Sequence, residues 1–398
     1  MEFSTLRAKG RVYLDHNATA PLAQSVAARV PEWLEQWGNP SSIHQSGRGP
    51  KAVLRETRNR MAQMIGAGAP LELIFTSGGT EANNLALKGV FEKARMNERR
   101  RILVSSVEHP SVRRTAEYLE SRGAEIAIIP VLRSGRIDLD AYERLLDENV
   151  ALVSVMLANN ETGNIFPVKK LAELAHSKGA LFHADCVQAL GKIPVNLRDL
   201  GVDLATFSGH KFYGLKGVGV LYVRRGVNLE SLIHGGAQER HRRGGTENTL
   251  AIASLGEMCG FQGQIDSRAE ELKRLRDHLE TRALAEISGV SITGGESERL
   301  PNTSSLVIPG VDGETLLMNL DMRGFSVSTG AACSSGSPEP SPVLLAMGLA
   351  RAEAQTSLRV GLGWENTQAE IDLFVDELIL IVERIRSFER PVLGEANV

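Results

Sequence analysis

Short apolar runs rich in β-branched residues alternate with helical patterns between about residue 70 and residue 225. This alternation is typical of βαβ units, in which helices connect neighbouring parallel strands and cover the sheet. The pattern therefore predicts an α/β domain built on a mainly parallel sheet of seven strands. The expected strands are residues 71–75, 102–105, 125–129, 151–156, 181–184, 204–207 and 218–222.

The pattern changes after about residue 264, where a second domain is expected to begin. Residues 267–284 form a charged amphipathic pattern with apolar side chains on one helical face. Strand-like runs at 290–293, 304–308 and 325–328 and a helical run at 314–323 follow, which indicates an α+β arrangement. Apolar residues from Ile371 to Ile385 recur at helical spacing and predict a closing helix.

Charge and hydropathy limit the kind of partner that this chain can bind. The 45 Lys and Arg residues against 48 Asp and Glu residues give a net charge of −3, so no global positive field favours nucleic acid or an anionic membrane. The uncharged apolar stretches fall far short of the ~20 residues that a membrane-spanning helix needs. We therefore expect a cytoplasmic protein that acts on a small or neutral partner, without direct nucleic-acid or membrane contacts.

The three cysteines, Cys186, Cys259 and Cys333, are too few and too widely spaced for a disulfide framework or a C-x-x-C metal site. Neither His176 nor His183 has a second ligand at metal spacing, so no metal site is predicted.

Residues 76–81, Thr-Ser-Gly-Gly-Thr-Glu, follow a predicted strand and open a predicted helix. Backbone N–H groups, hydroxyls and the helix dipole there could hold a phosphate, although an ordinary N-cap turn explains the stretch equally well. The chain contains neither G-x-G-x-x-G nor G-x-x-x-x-G-K-[ST], so the dinucleotide and P-loop interpretations lose their main support.

Two charged residues follow neighbouring strands at the edge where open α/β sheets bind ligands. Asp185 follows strand 181–184, and taken alone this position indicates a structural role as an N-cap. Lys211 follows strand 204–207, and its flanking small residues with His210 and Phe212 could desolvate the amine and lower its pKa. A lysine, a carboxylate and a phosphate cradle on one edge match the requirements of pyridoxal 5'-phosphate (PLP).

The motifs resemble those of the NifS/IscS-type cysteine desulfurases of the class V aminotransferase family through nearly the whole chain. This resemblance implies the PLP-dependent transferase fold type I. It divides the chain into a large PLP-binding domain, 16–264, and a small domain of 1–15 and 265–398 that carries the catalytic-cysteine loop. The motifs that carry the resemblance are residues 13–19, 38–42, 76–81, 108–110, 159–163, 185–188, 208–211 and 242–246.

The resemblance also implies a role for each matching residue. Lys211 would form the Schiff base with PLP, Cys333 would be the sulfur-accepting nucleophile, and His109 would stack on the cofactor ring. Asp185 would contact the pyridinium nitrogen and Gln188 the phenolate oxygen. The remaining implied residues are Gly79, Thr80, Ser208 and His210 at the phosphate, Thr246 at the phosphate of the neighbouring subunit of a homodimer, and Asn160 and Arg359 at the substrate carboxylate.

The implied reaction converts L-cysteine to L-alanine and leaves the sulfur on Cys333 as a persulfide, which an acceptor protein collects for iron–sulfur cluster assembly or thiolation. The acceptor would be a scaffold or a thiolation enzyme. Residues 329–335 read T-G-A-A-C-S-S where relatives usually have S-G-S-A-C-T-S, three small changes that leave the cysteine in place. The alternatives are a selenocysteine lyase or a transaminase with the same cofactor, or a non-catalytic sulfur-carrier subunit. Cys333 argues against the transaminase.

Overall fold

The structure is a computed structural model that describes residues 3–6, 10–95, 99–329 and 339–389. In chain order the strands of these residues are β1 (Thr5–Leu6), β2 (Val12–Tyr13), β3 (Leu22–Ala23), β4 (Leu73–Thr76), β5 (Arg101–Ser105), β6 (Glu125–Ile129), β7 (Val150–Ser154), β8 (Leu181–Asp185), β9 (Leu204–Ser208), β10 (Gly219–Val223), β11 (Ser291–Ile292), β12 (Thr303–Val307), β13 (Phe325–Ser326) and β14 (Ser357–Gly361).

The helices surround these strands and begin at residues suited to helix starts. Asp312, for example, accepts a hydrogen bond from the backbone N–H of Thr315, and Pro110 occupies a first-turn position that needs no N–H donor. The helices are α1 (Gln24–Leu34), α2 (Gln45–Met64), α3 (Gly79–Ala94), α4 (Pro110–Glu120), α5 (Leu139–Leu145), α6 (Val168–Ser177), α7 (Leu197–Leu200), α8 (Thr249–Cys259), α9 (Ile265–Glu286), α10 (Gly313–Met322), α11 (Pro342–Ala346), α12 (Arg351–Gln355) and α13 (Gln368–Glu389).

Seven strands of the described chain form the central sheet in the order β4-β10-β9-β8-β7-β5-β6. The predicted seven-stranded, mainly parallel α/β sheet is therefore confirmed, with strand ends displaced by one or two residues. β10 is antiparallel to both neighbours. The connection from β9 to β10 is too short for the dozen or more residues of a parallel crossover, so the chain has to reverse direction.

Both faces of the central sheet are covered, which explains why its strands read as apolar runs. Alternate residues of one strand belong to different buried clusters: Ile74 packs with α3 and α4 on one face, whereas Leu73 and Phe75 join the larger core on the other. This larger core continues through α9 and α13 into the second half of the chain.

A smaller antiparallel sheet of order β11-β12-β14 forms in the second half, together with the predicted helices α9, α10 and α13. β14 was not predicted, because Arg359 interrupts its apolar pattern. β13 covers only the first half of the predicted strand 325–328 and pairs in parallel with β2 near the start of the chain. The division into domains 16–264 and 1–15 with 265–398 stays a prediction.

Within the ranges that the structure describes, no helix is long and apolar enough to cross a membrane. The same ranges contain no group of three or more His, Cys, Asp or Glu side chains that could hold a metal ion.

Candidate active site

The candidate site lies where β8 and β9 end and α3 begins. Asp185 is the last residue of β8, and Ser208 is the last residue of the neighbouring strand β9. Asp185 lies opposite Thr206 in the parallel register of this pair. Lys211 closes the short 3-10 turn that follows β9. The structure thus brings these predicted residues to one edge of the sheet, where α/β folds bind ligands.

Hydrogen bonds from two directions fix the buried carboxylate of Asp185. Its Oδ2 accepts from Asn83 Nδ2 at 2.7 Å, and its Oδ1 accepts from the backbone N–H of Val187 at 2.9 Å. Asn83 also donates to Ser111 Oγ at 2.8 Å and so connects α3 to α4. Asn83 is not among the residues predicted from the sequence, although an asparagine among the apolar residues of a helix is a signal of a buried polar contact.

The amine of Lys211 is held against the backbone of a distant segment. Its Nζ donates to the carbonyl oxygen of Asn17 at 2.5 Å and to that of Ala18. Desolvation and the charge of Arg359 lower the pKa of Lys211 to about 8, although Asp15 and Asp185 act in the opposite direction. The lowered pKa increases the fraction of this amine that is in the neutral, nucleophilic form near neutral pH.

The two histidines of the candidate site are held neutral. His109 Nδ1 accepts from the backbone N–H of Ser111 at 3.1 Å, which places the ring proton on Nε2. His109 is accessible in the single chain, yet the surrounding protein desolvates its ring and lowers the pKa of the imidazole. Burial and the charge of Lys211 lower the pKa of His210 to about 4, and its Nδ1 lies 3.0 Å from Thr19 Oγ1.

Polar groups without protein partners converge at the start of α3. Gly78 is the N-cap of this helix, and no side chain caps the first turn, which contains Gly79 and Thr80. The Oγ of Ser208 is buried and has no hydrogen-bond partner among the described residues. A Cβ on Gly219 would lie 2.4 Å from the carbonyl carbon of Gly78, so a glycine is needed for β10 to approach this turn. These groups fit a phosphate.

Gln188 lies beside Lys211. The buried side chain of Gln188 donates through Nε2 to the carbonyl oxygen of Asn17 at 2.9 Å, and the same oxygen accepts the hydrogen bond from Lys211. Asn17 belongs to a motif of the resemblance, but the sequence analysis gave it no role.

Asn160 and Arg359, the residues expected at a substrate carboxylate, contact each other. Arg359 Nη1 donates to the carbonyl oxygen of Asn160 at 3.2 Å, and its Nη2 forms an ion pair with Asp15 Oδ1 at 2.8 Å. Its Nε is buried without a partner in the described part of the chain. Asn17 Nδ2 donates to the same carbonyl oxygen of Asn160 at 3.1 Å, which joins this pair to the Lys211 cluster.

Two expected site residues are not placed in this cluster. Thr246 is exposed before α8, and no hydrogen bond joins its side chain to another described residue. Cys333 lies outside the described residues. Ser328, five positions before it, exchanges two backbone hydrogen bonds with Arg359, at 3.2 and 2.7 Å.

The other two cysteines are poor candidates for a nucleophile. Cys186 and Cys259 are both buried free thiols. Burial raises the pKa of Cys186 well above its usual value and raises that of Cys259 to about 12. Both thiols therefore stay protonated near neutral pH, and the thiolate is the reactive form.

Residues 12–374 match the family model described as aminotransferase class-V. A cysteine desulfurase from Cereibacter sphaeroides is 45% identical over 379 residues, which are 95% of this chain and 97% of the relative. The solved structure of a NifS-like protein superposes with a TM-score of 0.88 at 37% identity, covering 94% of this chain and 100% of that one. A structure described as SspA in complex with cysteine gives a TM-score of 0.77 at 31% identity, and the match covers 88% of this chain and 98% of that one.

Glu108, which precedes His109, is a fully enclosed acid near the site. Its Oε1 accepts from Ser105 Oγ at 2.6 Å and from the backbone N–H of Met156 at 2.8 Å. Burial, with a smaller contribution from Asp185, raises the pKa of Glu108 to about 8. The folded chain therefore holds this carboxyl group protonated at neutral pH.

We expect Glu108→Gln to reduce the loss of stability at rising pH. An unfolded glutamate titrates at about 4.3, so between that pH and about 8 the folded chain retains a proton that the unfolded chain has released. The free energy of unfolding must then fall as pH rises, and the variant should avoid about 1 kcal/mol or more of this fall. Urea unfolding at about pH 5 and pH 8 measures the difference.

Glu120→Gln, an exposed change on α4, serves as the matched control and should keep the wild-type pH dependence. Equal pH dependence in Glu108→Gln and wild type would contradict the protonated state of Glu108.

Proposed function

The chain belongs to the class-V aminotransferase family, and from this premise we infer that it is a PLP-dependent cysteine desulfurase. Its similarity to a cysteine desulfurase extends over 95% of the chain at 45% identity. The enzyme converts L-cysteine to L-alanine and transfers the sulfur. The observation that carries the cofactor assignment is the amine of Lys211, which has a pKa of about 8 and lies on the same sheet edge as Asp185.

We propose that the residues at this edge hold PLP. Lys211 would bind it covalently, Asp185 would face its ring nitrogen, Gln188 its ring oxygen, and His109 its ring face. When bound, PLP withdraws electrons from the substrate's Cα. The uncapped first turn of α3 and the unpartnered hydroxyl of Ser208 support a phosphate position. The residues proposed at that phosphate are Gly79, Thr80, Ser208 and His210.

Lys211 is also suited to remove the Cα proton of cysteine. A general base works best when its pKa lies close to the working pH, and burial with Arg359 brings the pKa of this amine to about 8. Asn17 and Ala18 hold Nζ through their carbonyl oxygens and so fix where the proton is accepted.

Arg359 and Asn160 are proposed to orient the substrate through its carboxylate. The guanidinium Nε is buried without a described partner, which is costly for a charged donor unless a ligand accepts its hydrogen bond. The planar guanidinium fork suits a carboxylate. The ion pair with Asp15 holds the fork in place.

The sulfur step is assigned to Cys333. Its thiolate attacks the substrate sulfur, the new S–S bond replaces the substrate C–S bond, and Cβ keeps the electron pair and takes a proton to give alanine. The persulfide on Cys333 must then be removed before the next turnover. We therefore propose a sulfur-acceptor protein, a scaffold or a thiolation enzyme, as partner.

We propose a homodimer because the single chain has large exposed apolar side chains and a strained segment before Thr246. Trp37 and Ile43 are 80% and 95% exposed. Glu239, Arg240 and His241 have consecutive positive φ angles of 46°, 58° and 62°, a rare and strained conformation for residues other than glycine. Strain of this kind is found at functional surfaces, and Thr246 follows a few residues later. A second copy would cover the apolar residues and receive Thr246.

Lys211→Ala should abolish turnover and the visible absorbance of bound PLP, because the substitution removes the amine proposed as covalent anchor and base. Asp185→Ala should retain some cofactor but lose most activity, since the carboxylate that keeps the ring nitrogen protonated is gone. Absorbance spectra and alanine production measure both effects. The exposed Lys216→Ala is the control and should keep the band. Full activity of either site variant would remove the cofactor assignment.

Cys333→Ser should bind PLP normally but lose alanine production by orders of magnitude, because a hydroxyl cannot carry a persulfide. Cys186→Ala and Cys259→Ala are matched controls and should retain most activity. Intact-protein mass after brief exposure to L-cysteine should show one added sulfur atom in wild type, mapped to Cys333 by digestion. Sulfur on another cysteine, or undiminished alanine production by Cys333→Ser, would overturn the assignment. Product analysis with selenocysteine as the substrate distinguishes a selenocysteine lyase from a cysteine desulfurase.

Mixing Lys211→Ala chains with Thr246→Ala chains should restore activity to about a quarter of the wild-type value, because half of the dimers would be mixed and one of their two sites would contain both native residues. Each variant alone is the control, and activity of the mixture is compared with their mean. A fully active monomer at assay concentration would contradict the proposed dimer.

A further inference from the structure

Lys192 is a buried lysine that the reaction described above does not use. It lies in the turn after β8, four residues after Gln188. Gly191 before it has a φ of +75°, and a Cβ there would lie 2.0 Å from the ring of Phe212. Only glycine fits this position, so the backbone of Lys192 is fixed against the residue that follows Lys211.

The amine of Lys192 contacts only neutral oxygens among the described residues. Its Nζ donates to Gln188 Oε1 at 2.5 Å and to Asn17 Oδ1 at 3.1 Å. Burial and the charges of Lys211 and Arg359 lower its pKa well below the usual value. An amine buried without a carboxylate destabilises a fold, so this lysine calls for an explanation other than stability.

The contact with Lys192 determines which way the Gln188 amide points. The ammonium form of Lys192 can only donate, and even the neutral amine has one N–H group for each of its two neighbours, so this contact favours a Gln188 amide with its oxygen toward Lys192. Gln188 Nε2 then points to the carbonyl oxygen of Asn17, which also accepts from Lys211. Without Lys192, only the hydrogen bond from Nε2 to Asn17 would hold this orientation, and Oε1 would be buried without a donor, which favours rotation of the amide toward another donor.

The amide of Asn17 does not depend on Lys192 in the same way. Asn302 Nδ2 also donates to Asn17 Oδ1, at 3.0 Å, and Asn17 Nδ2 donates to Thr303 Oγ1 at 2.9 Å. Gln188 Oε1, by contrast, accepts only from Lys192 within the described chain. Loss of Lys192 should therefore release Gln188 rather than Asn17.

We propose that Lys192 is a positioning residue that holds the Gln188 amide with its N–H donors toward Lys211, where they would donate to the ring oxygen of bound PLP. This inference rests on the proposed cofactor site. It extends that site to a residue that touches neither cofactor nor substrate.

The test compares Lys192→Met with wild type in two backgrounds, native Gln188 and Gln188→Ala. The methionine keeps most of the length of the side chain but cannot donate. With native Gln188, the affinity for PLP should fall about 10-fold, the effect of one lost hydrogen bond and one misplaced acceptor. The pH midpoint of the visible PLP band should rise, because an amide oxygen favours the protonated form of the ring oxygen. With Gln188→Ala, the same substitution should change neither quantity.

Lys192→Gln retains an N–H donor and should restore part of the wild-type midpoint, whereas Lys178→Met removes an exposed lysine and should change nothing. Equal effects of Lys192→Met in both backgrounds, or none in either, would overturn the inference. If both Lys192 variants unfold under conditions where Gln188→Ala stays folded, Lys192 stabilises the fold and does not position Gln188. That result would also overturn the inference. A wild-type chain that binds no PLP would instead refute the proposed function, and the inference with it.

Discussion

The buried amide of Asn17 and its backbone carbonyl connect the parts of the candidate site. The carbonyl oxygen accepts hydrogen bonds from Lys211 and Gln188, which follow two strands of the central sheet. The side-chain amide donates to Thr303 on β12 and to the carbonyl oxygen of Asn160. Because buried polar groups need partners, these hydrogen bonds fix the two sheets relative to each other at the site. The positions of the proposed cofactor and substrate groups depend on this one residue.

Crowded positive charge is the second property of the site. Beside the effect of burial, the charge of Arg359 lowers the pKa of both Lys192 and Lys211, and Lys211 also lowers that of Lys192, whereas Asp15 and Asp185 only partly compensate at Lys211. Positive charges this close together repel each other, and anionic groups bound beside them would offset that repulsion. A phosphate and a substrate carboxylate both supply such charge, which agrees with the proposed function. Burial, together with the charge of Arg359, brings Lys211 into the pKa range of a general base.

The sequence predicts the central sheet well because its strands are apolar on both faces and are separated by clear helical patterns. It misses β14 because Arg359 stands in the middle of that strand. The roles of Asn17, Asn83 and Lys192 also escape sequence reasoning, since their hydrogen-bond partners are distant in the chain or lie across a turn. A lysine within the otherwise apolar run 189–195 was the available signal for Lys192.

Two lysines with lowered pKa values lie in one hydrogen-bonded cluster, so the most direct test is to find which of them binds the cofactor. The chain is loaded with PLP, reduced with borohydride, digested and analysed by mass spectrometry. The account predicts the phosphopyridoxyl group on Lys211, with Lys192 unmodified. Modification of Lys192, or of neither lysine, would contradict it.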